Sequence, residues 1–147
     1  MAMDALVRVL TPYVGRICGS VALDRGDDAM QETFIAVLRN LRSLREPAAL
    51  YGWVRRIAVR ESVRQARAGD LAAVAVDAPA PDIDLSGALD VRAVLAELTP
   101  EHRAVLVLRD MDGLAESEVA ALLEIPEGTV KSRLHRARHE FAGRWHR

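Results

Sequence analysis

Apolar residues recur along this chain at steps of three and four, the period of one buried helix face. Leu6, Val9, Leu10, Tyr13, Val14 and Ile17 open the pattern, interrupted by Thr11-Pro12. That dipeptide caps a new helix or kinks a continuous one. Met30, Phe34, Val37, Leu38 and Leu41 form a second face, with Asp27-Asp28 placed to cap it and to suit the N-terminal dipole. A loop from Leu44 leads into a third helix that carries Trp53 and runs to Arg67. Val91, Val94, Leu95 and Leu98 then restart the spacing. Thr99-Pro100-Glu101 caps a further helix with Val105, Leu106, Leu108 and Met111 as its core, and Gly113 ends it. Leu114, Val119, Leu122 and Leu123 make the next face, and Val130, Leu134, Ala137 and Phe141 the last.

Between the two groups the periodicity lapses. Residues 68–88 hold Gly69, Pro79, Pro81, Gly87 and four aspartates, with no basic residue. The pattern predicts an all-α protein: two small helical domains, 1–67 and 89–147, on a flexible acidic linker.

Composition sharpens this picture. Half of the 147 residues are apolar, but only Phe34, Phe141, Trp53, Trp145, Tyr13 and Tyr51 are aromatic. Aliphatic, alanine-rich cores suit helices. The single Cys18 excludes an internal disulfide and any multi-cysteine zinc site, which fits a reducing cytoplasm. No apolar run approaches the roughly 20 residues that span a bilayer, and no signal peptide opens the chain, so membrane insertion is not expected. No Gly-rich phosphate loop, nucleophile elbow or paired acids in a recognisable context point to an enzyme. His102, His135, His139 and His146 lack the partners of a metal set, and no cofactor is implied.

The net charge of −1 conceals an uneven distribution. Residues 1–67 hold eleven arginines against seven acids, and 68–98 hold one arginine against six acids. In 99–147 the signs balance, but the basic groups crowd beyond residue 130. Local charge, not the total, steers binding to phosphate.

On the last helix, Gly128, Ser132, His135, Arg136 and His139 point away from the apolar face, with Lys131, Arg133 and Arg138 flanking them. Pro126 fits its first turn. Two short helices joined by a tight turn, the second basic, make a helix-turn-helix whose second helix suits the major groove. In the third helix Trp53, Arg56, Arg60, Arg64 and Arg67 fall in one stripe. Arginines beside an indole suit melted DNA, although Trp53 could equally turn into the core. Asp28, Gln31, Glu32, Ile35 and Arg39 share the outer side of the second helix. Ile35 is either a lone exposed aliphatic or the apolar centre of a protein-binding patch.

Ile125 to Arg138 resembles the run Ile-Pro-x-Gly-Thr-Val-Lys-Ser-Arg-Leu-x-Arg-Ala-Arg of extracytoplasmic-function (group IV) sigma factors. The likeness covers 5–67 and 89–141. Asp28-Ala29-Met30-Gln31-Glu32-Thr33-Phe34 is similar to that family's Asp-Leu-Val-Gln-Glu-Thr-Phe, its clamp-binding surface. The resemblance implies a non-catalytic factor that binds core RNA polymerase through Asp28, Gln31, Glu32 and Ile35. It implies minus-ten recognition and melting by Trp53, Arg56, Arg60, Arg64 and Arg67. Minus-thirty-five reading falls to Arg109, Gly128, Thr129, Lys131, Ser132, Arg133, His135, Arg136 and Arg138, with Lys131, Arg133 and Arg138 gripping backbone, although the family also brings the position of Lys131 near bases. The linker would thread the RNA exit path, and an anti-sigma factor is a further partner the family uses. The chain departs from the family at Ala29, Met30, Glu46-Pro47-Ala48-Ala49 and Arg60 (often Asn). It also departs at Ala115, where Ser or Thr caps, and Glu124, where glycine turns. The last two cost roughly 1 and 1–2 kcal/mol. Its start is short beside relatives. A stand-alone helix-turn-helix regulator is the rival reading, but it leaves the Asp28–Phe34 run and the arginine stripe unexplained.

Overall fold

The computed structural model describes residues 2–75 and 87–146, with side chains for 2–70 and 91–146. Seven α-helices occupy most of them: α1 Ala2–Ala22, α2 Gly26–Asn40, α3 Leu50–Ala75, α4 Gly87–Glu97, α5 Pro100–Leu106, α6 Glu116–Leu123 and α7 Glu127–Trp145. Among the described residues there is no strand. The chain divides into two compact units, 1–68 and 69–147.

In the first unit α1 buries Leu10, Val14, Ile17, Cys18, Val21 and Ala22 along one stripe. Pro12 does not end this helix. The Thr11 hydroxyl donates to the Val7 carbonyl at 2.6 Å, one residue ahead of the carbonyl that proline leaves without its helical donor. By length and composition alone, the stretch Ala2–Ser43 contains one window, of mean hydropathy 1.3, apolar enough to cross a membrane, a test that a buried core helix passes as well. The buried stripe facing α2 is what that hydropathy builds here.

Small residues bring α1 and α2 together. The Cα of Gly26 lies so close to α1 that an added Cβ would stand 3.2 Å from the Cys18 carbonyl oxygen and from the Gly19 Cα. The close crossing rotates α2 relative to the expected face. Gly26, Ala29, Thr33 and Val37 are buried, while Met30, Phe34, Leu38 and Leu41 are only half-buried. The helix also starts before the expected cap: Arg25 is its N-cap, without a side-chain capping bond, and Asp27 and Asp28 lie in the first turn. They favour the dipole but cap nothing. Thr33 donates to the Ala29 carbonyl at 2.7 Å, and burial pushes the adjacent Cys18 thiol pKa up. A Gly26→Ala substitution should therefore destabilise the chain by about 1 kcal/mol in urea unfolding, because backbone overpacking outweighs the helix-propensity gain.

Helix α3 adds Val54, Ala58, Val59, Ser62 and Ala66 to this core. Tyr13 and Tyr51 meet edge to face, with centroids 5.5 Å apart, tying α1 to α3. The helix starts earlier than expected and runs on to Ala75, so 68–75 are helical, as are 87–88. Residues 76–86, where most of the expected acidic linker falls, lie outside the described residues.

In the second unit Thr99 caps α5 as expected, accepting from the His102 N–H at 3.2 Å. Arg103 is 3 % exposed, and its guanidinium donates to the carbonyls of Leu95 and Leu98, both at 3.1 Å. It ties α5 to the end of α4. Burial pushes its pKa down. After α5 the backbone widens into a π turn over Val107–Met111, with the Asp112 N–H reaching the Val107 carbonyl at 2.9 Å. The turn buries Leu108 but leaves Met111 54 % exposed, so Met111 is not the core residue its spacing suggested. Gly113, at φ +72°, then reverses the chain.

Candidate nucleic-acid and protein interfaces

Helices α6 and α7 form the helix-turn-helix. Ala115 is the N-cap of α6 and carries no acceptor, but the Glu118 carboxylate accepts from the Ala115 N–H at 3.2 Å, which keeps half of a capping box. Glu124 takes the left-handed turn at φ 56°, ψ 46°, as its position predicted. Pro126 is the N-cap of α7 and not in its first turn. The Thr129 N–H is used by the Pro126 carbonyl at 3.0 Å, so it does not stand open for a phosphate.

Val130, Leu134 and Ala137 are buried, and Phe141 is half-buried and stacked on Trp145 at 5.9 Å. Gly128, Ser132, His135, Arg136 and His139 are exposed, which is the face expected to reach base edges. Ser132 donates to the Thr129 carbonyl at 3.1 Å. Arg133, Thr129 and Arg109 are half-buried.

Arg138 is exposed and has a partner that its spacing did not announce. Its guanidinium grips Asp110 with two bonds, Nε to Oδ2 at 2.9 Å and a terminal nitrogen to Oδ1 at 2.6 Å. The group expected to hold DNA backbone thus also ties α7 to the π turn. Lys131, two turns earlier on the same flank, stands 4.0 Å from the Glu116 carboxylate.

The bonds from Arg138 hold the Asp110 carboxyl below the usual carboxylate range. A depressed pKa contributes stability in full above roughly pH 4, the unfolded value, and loses it as pH falls through the folded value. Asp110→Asn should therefore be slightly less stable than the parent at neutral pH, and the gap should close in strong acid. Thermal melts at the two pH values check this.

On α2, Asp28, Gln31 and Glu32 are exposed together with Ile35, which is 37 % exposed. The expected contact set thus lies on one accessible face. On α3, Arg56, Arg60, Arg64 and Arg67 are exposed and Trp53 is half-buried. Trp53, Arg56 and Arg60 line a groove of ≈ 390 Å³ with Ala36, Asn40, Ser43, Ile57 and Glu61. Asn40, Ser43 and Glu61 were not singled out from the sequence. For Asn40 and Ser43 the one signal is their spacing of four and three from Ala36, and Glu61 follows Arg60 on α3. Arg64 and Arg67 are not among the groove's lining residues. Among the described residues no three His, Cys, Asp or Glu side chains gather as a metal set.

These surfaces define an all-helical protein with a basic helix-turn-helix in one unit and an acidic patch beside an arginine-lined groove in the other. Residues 3–71 match the family described as Sigma-70 region 2, and residues 88–140 match Sigma-70, region 4. The chain is 35% identical over 135 residues to the ECF RNA polymerase sigma-E factor of Escherichia coli, across 76% of this chain and 69% of that protein. It belongs to the ECF family of RNA polymerase sigma factors. The ECF sigma factor SigE of Mycolicibacterium smegmatis is 34% identical over 94% of this chain, which spans 59% of that relative. SigM of Mycobacterium tuberculosis is 36% identical over 79% of the chain, which spans 62% of it. Among solved structures, the sigma factor RpoE of Bartonella quintana, in complex with the anti-sigma factor NepR, shares the fold. Its TM-score is 0.72 at 20% identity, over 96% of this chain and 94% of that one. CnrH, solved with the cytosolic domain of CnrY, has a TM-score of 0.61 at 23% identity, over 97% and 86% of the two chains.

Proposed function

We propose that this chain is a sigma factor of the group IV type that binds core RNA polymerase in the cytoplasm and directs promoter-specific initiation. The observation that carries the proposal is the joint exposure of Asp28, Gln31, Glu32 and Ile35 on one face of a chain that also presents a basic helix-turn-helix. A regulator that reads DNA alone has no use for the first surface.

In this reading the first unit takes the polymerase with α2 and the minus-ten element with α3. The groove beside Trp53 receives a base from opened DNA, with Arg56 and Arg60 at its wall and Arg64 and Arg67 on the adjoining phosphates. The second unit places α7 in the major groove at the minus-thirty-five element. The factor contributes recognition, and the polymerase supplies the chemistry. An anti-sigma factor is a further partner, in line with the complex of RpoE with the anti-sigma factor NepR.

Gel filtration of the chain with core polymerase, followed by footprinting on promoter DNA, tests this. Co-elution and protection of two elements are expected. Protection of a palindromic site by the chain alone contradicts it.

A further inference from the structure

Lys131 and Arg138 are seven residues apart, two turns of α7, so they occupy one flank of it. Each faces an acid from an earlier element. Glu116, at the start of α6, stands 4.0 Å from Lys131, and Asp110, in the π turn, holds Arg138 at 2.6 and 2.9 Å. The adjoining face, with Ser132, His135, Arg136 and His139, is exposed too. On this flank Arg138 is held by two bonds and Lys131 stands at the outer reach of an ion pair, both beside the base-facing edge.

Phosphate contacts give affinity without sequence information, and each one adds about 0.9 to the slope of affinity against salt. A cation already paired with a carboxylate gives less to a phosphate. We propose that Asp110 and Glu116 set the discrimination of the helix-turn-helix between promoter and bulk DNA, by withholding Arg138 and Lys131 from the phosphate backbone. This rests on the reading of α7 as the promoter-reading helix. The lowered pKa of Asp110 and the raised pKa of Arg138 agree with a pair that stays charged throughout the range where DNA binds.

The test measures binding of the full chain to random-sequence duplex DNA between roughly 50 and 200 mM salt, by fluorescence anisotropy. D110N and E116Q should each bind bulk DNA more tightly at low salt and steepen the salt slope by about 0.9. The double variant should then lose roughly tenfold more affinity than the parent across that range. In holoenzyme the double variant should favour the promoter over bulk DNA less than the parent does. Coupling is checked with D110N/R138Q, which should return to the parental slope, and thermal melts confirm that each variant is folded. Parental affinity and slope in the folded double variant overturn the proposal, and so does a steep slope that survives the loss of Arg138. Absence of any promoter-specific transcript from the parent with polymerase would instead overturn the functional reading, independently of the bulk-DNA slopes.

Discussion

Reversing the charges of Asp28 and Glu32 together will abolish co-purification with core polymerase while the helical circular-dichroism signal survives. Both side chains are exposed in the first half of α2, and neither contributes to the core that Gly26, Ala29, Thr33 and Val37 build. The double reversal changes the patch by four charges around Ile35, the one exposed aliphatic among them. Like-charge juxtaposition at an interface costs several kcal/mol, enough to move a tight complex out of the range of a pull-down. The cost to folding is small by comparison. Removing Asp27 or Asp28 from the helix start forfeits about 0.3–1 kcal/mol of dipole interaction. Undiminished capture by the folded double variant would remove α2 from the polymerase interface.

The second large effect concerns Arg136. It is exposed on the face turned away from Val130, Leu134 and Ala137, and among the described residues no carboxylate holds it as Asp110 holds Arg138. A guanidinium so placed suits bidentate bonds to guanine O6 and N7, each worth roughly 1–3 kcal/mol of discrimination. Arg136→Ala should reduce transcription roughly five- to hundredfold at promoters that carry the contacted base, and much less at others. A promoter library transcribed by the mutant holoenzyme gives the answer. A uniform loss across the library would show that Arg136 touches only backbone.

Arg138 illustrates where the reading from sequence ran out. Its position on α7 is legible from helical spacing, and so is its exposure. Its partner is not, because Asp110 lies 28 residues away in a π turn that no periodicity announces. The same limit hid Arg103, which looks like a surface arginine one turn into a helix yet buries its guanidinium against the end of α4. Long-range pairing of charges depends on how helices cross, and crossing is set by packing detail that spacing does not encode.

What was legible follows from periodicity. The buried residues Leu10, Val14 and Ile17, and likewise Val130, Leu134 and Ala137, are those that steps of three and four select. The helix-turn-helix was readable because its apolar spacing is regular on both sides of the turn, even with Glu124 in a left-handed conformation there. Helix α2 was harder. Glycine, alanine and threonine do not register as hydrophobic, so the spacing selected Met30 and Phe34 while Ala29 and Thr33 form the contact. The end of α3 was missed for a related reason: Gly69 reads as a stop, but a single glycine inside a helix costs only about 1 kcal/mol.

The central claim is that this chain gives polymerase its promoter. Mapping the 5′ ends of transcripts made by core polymerase from a promoter library, with and without the purified chain, tests that most directly. The account predicts chain-dependent transcripts that start at a fixed distance downstream of a shared pair of sequence elements. Start sites that are the same with and without the chain would contradict it.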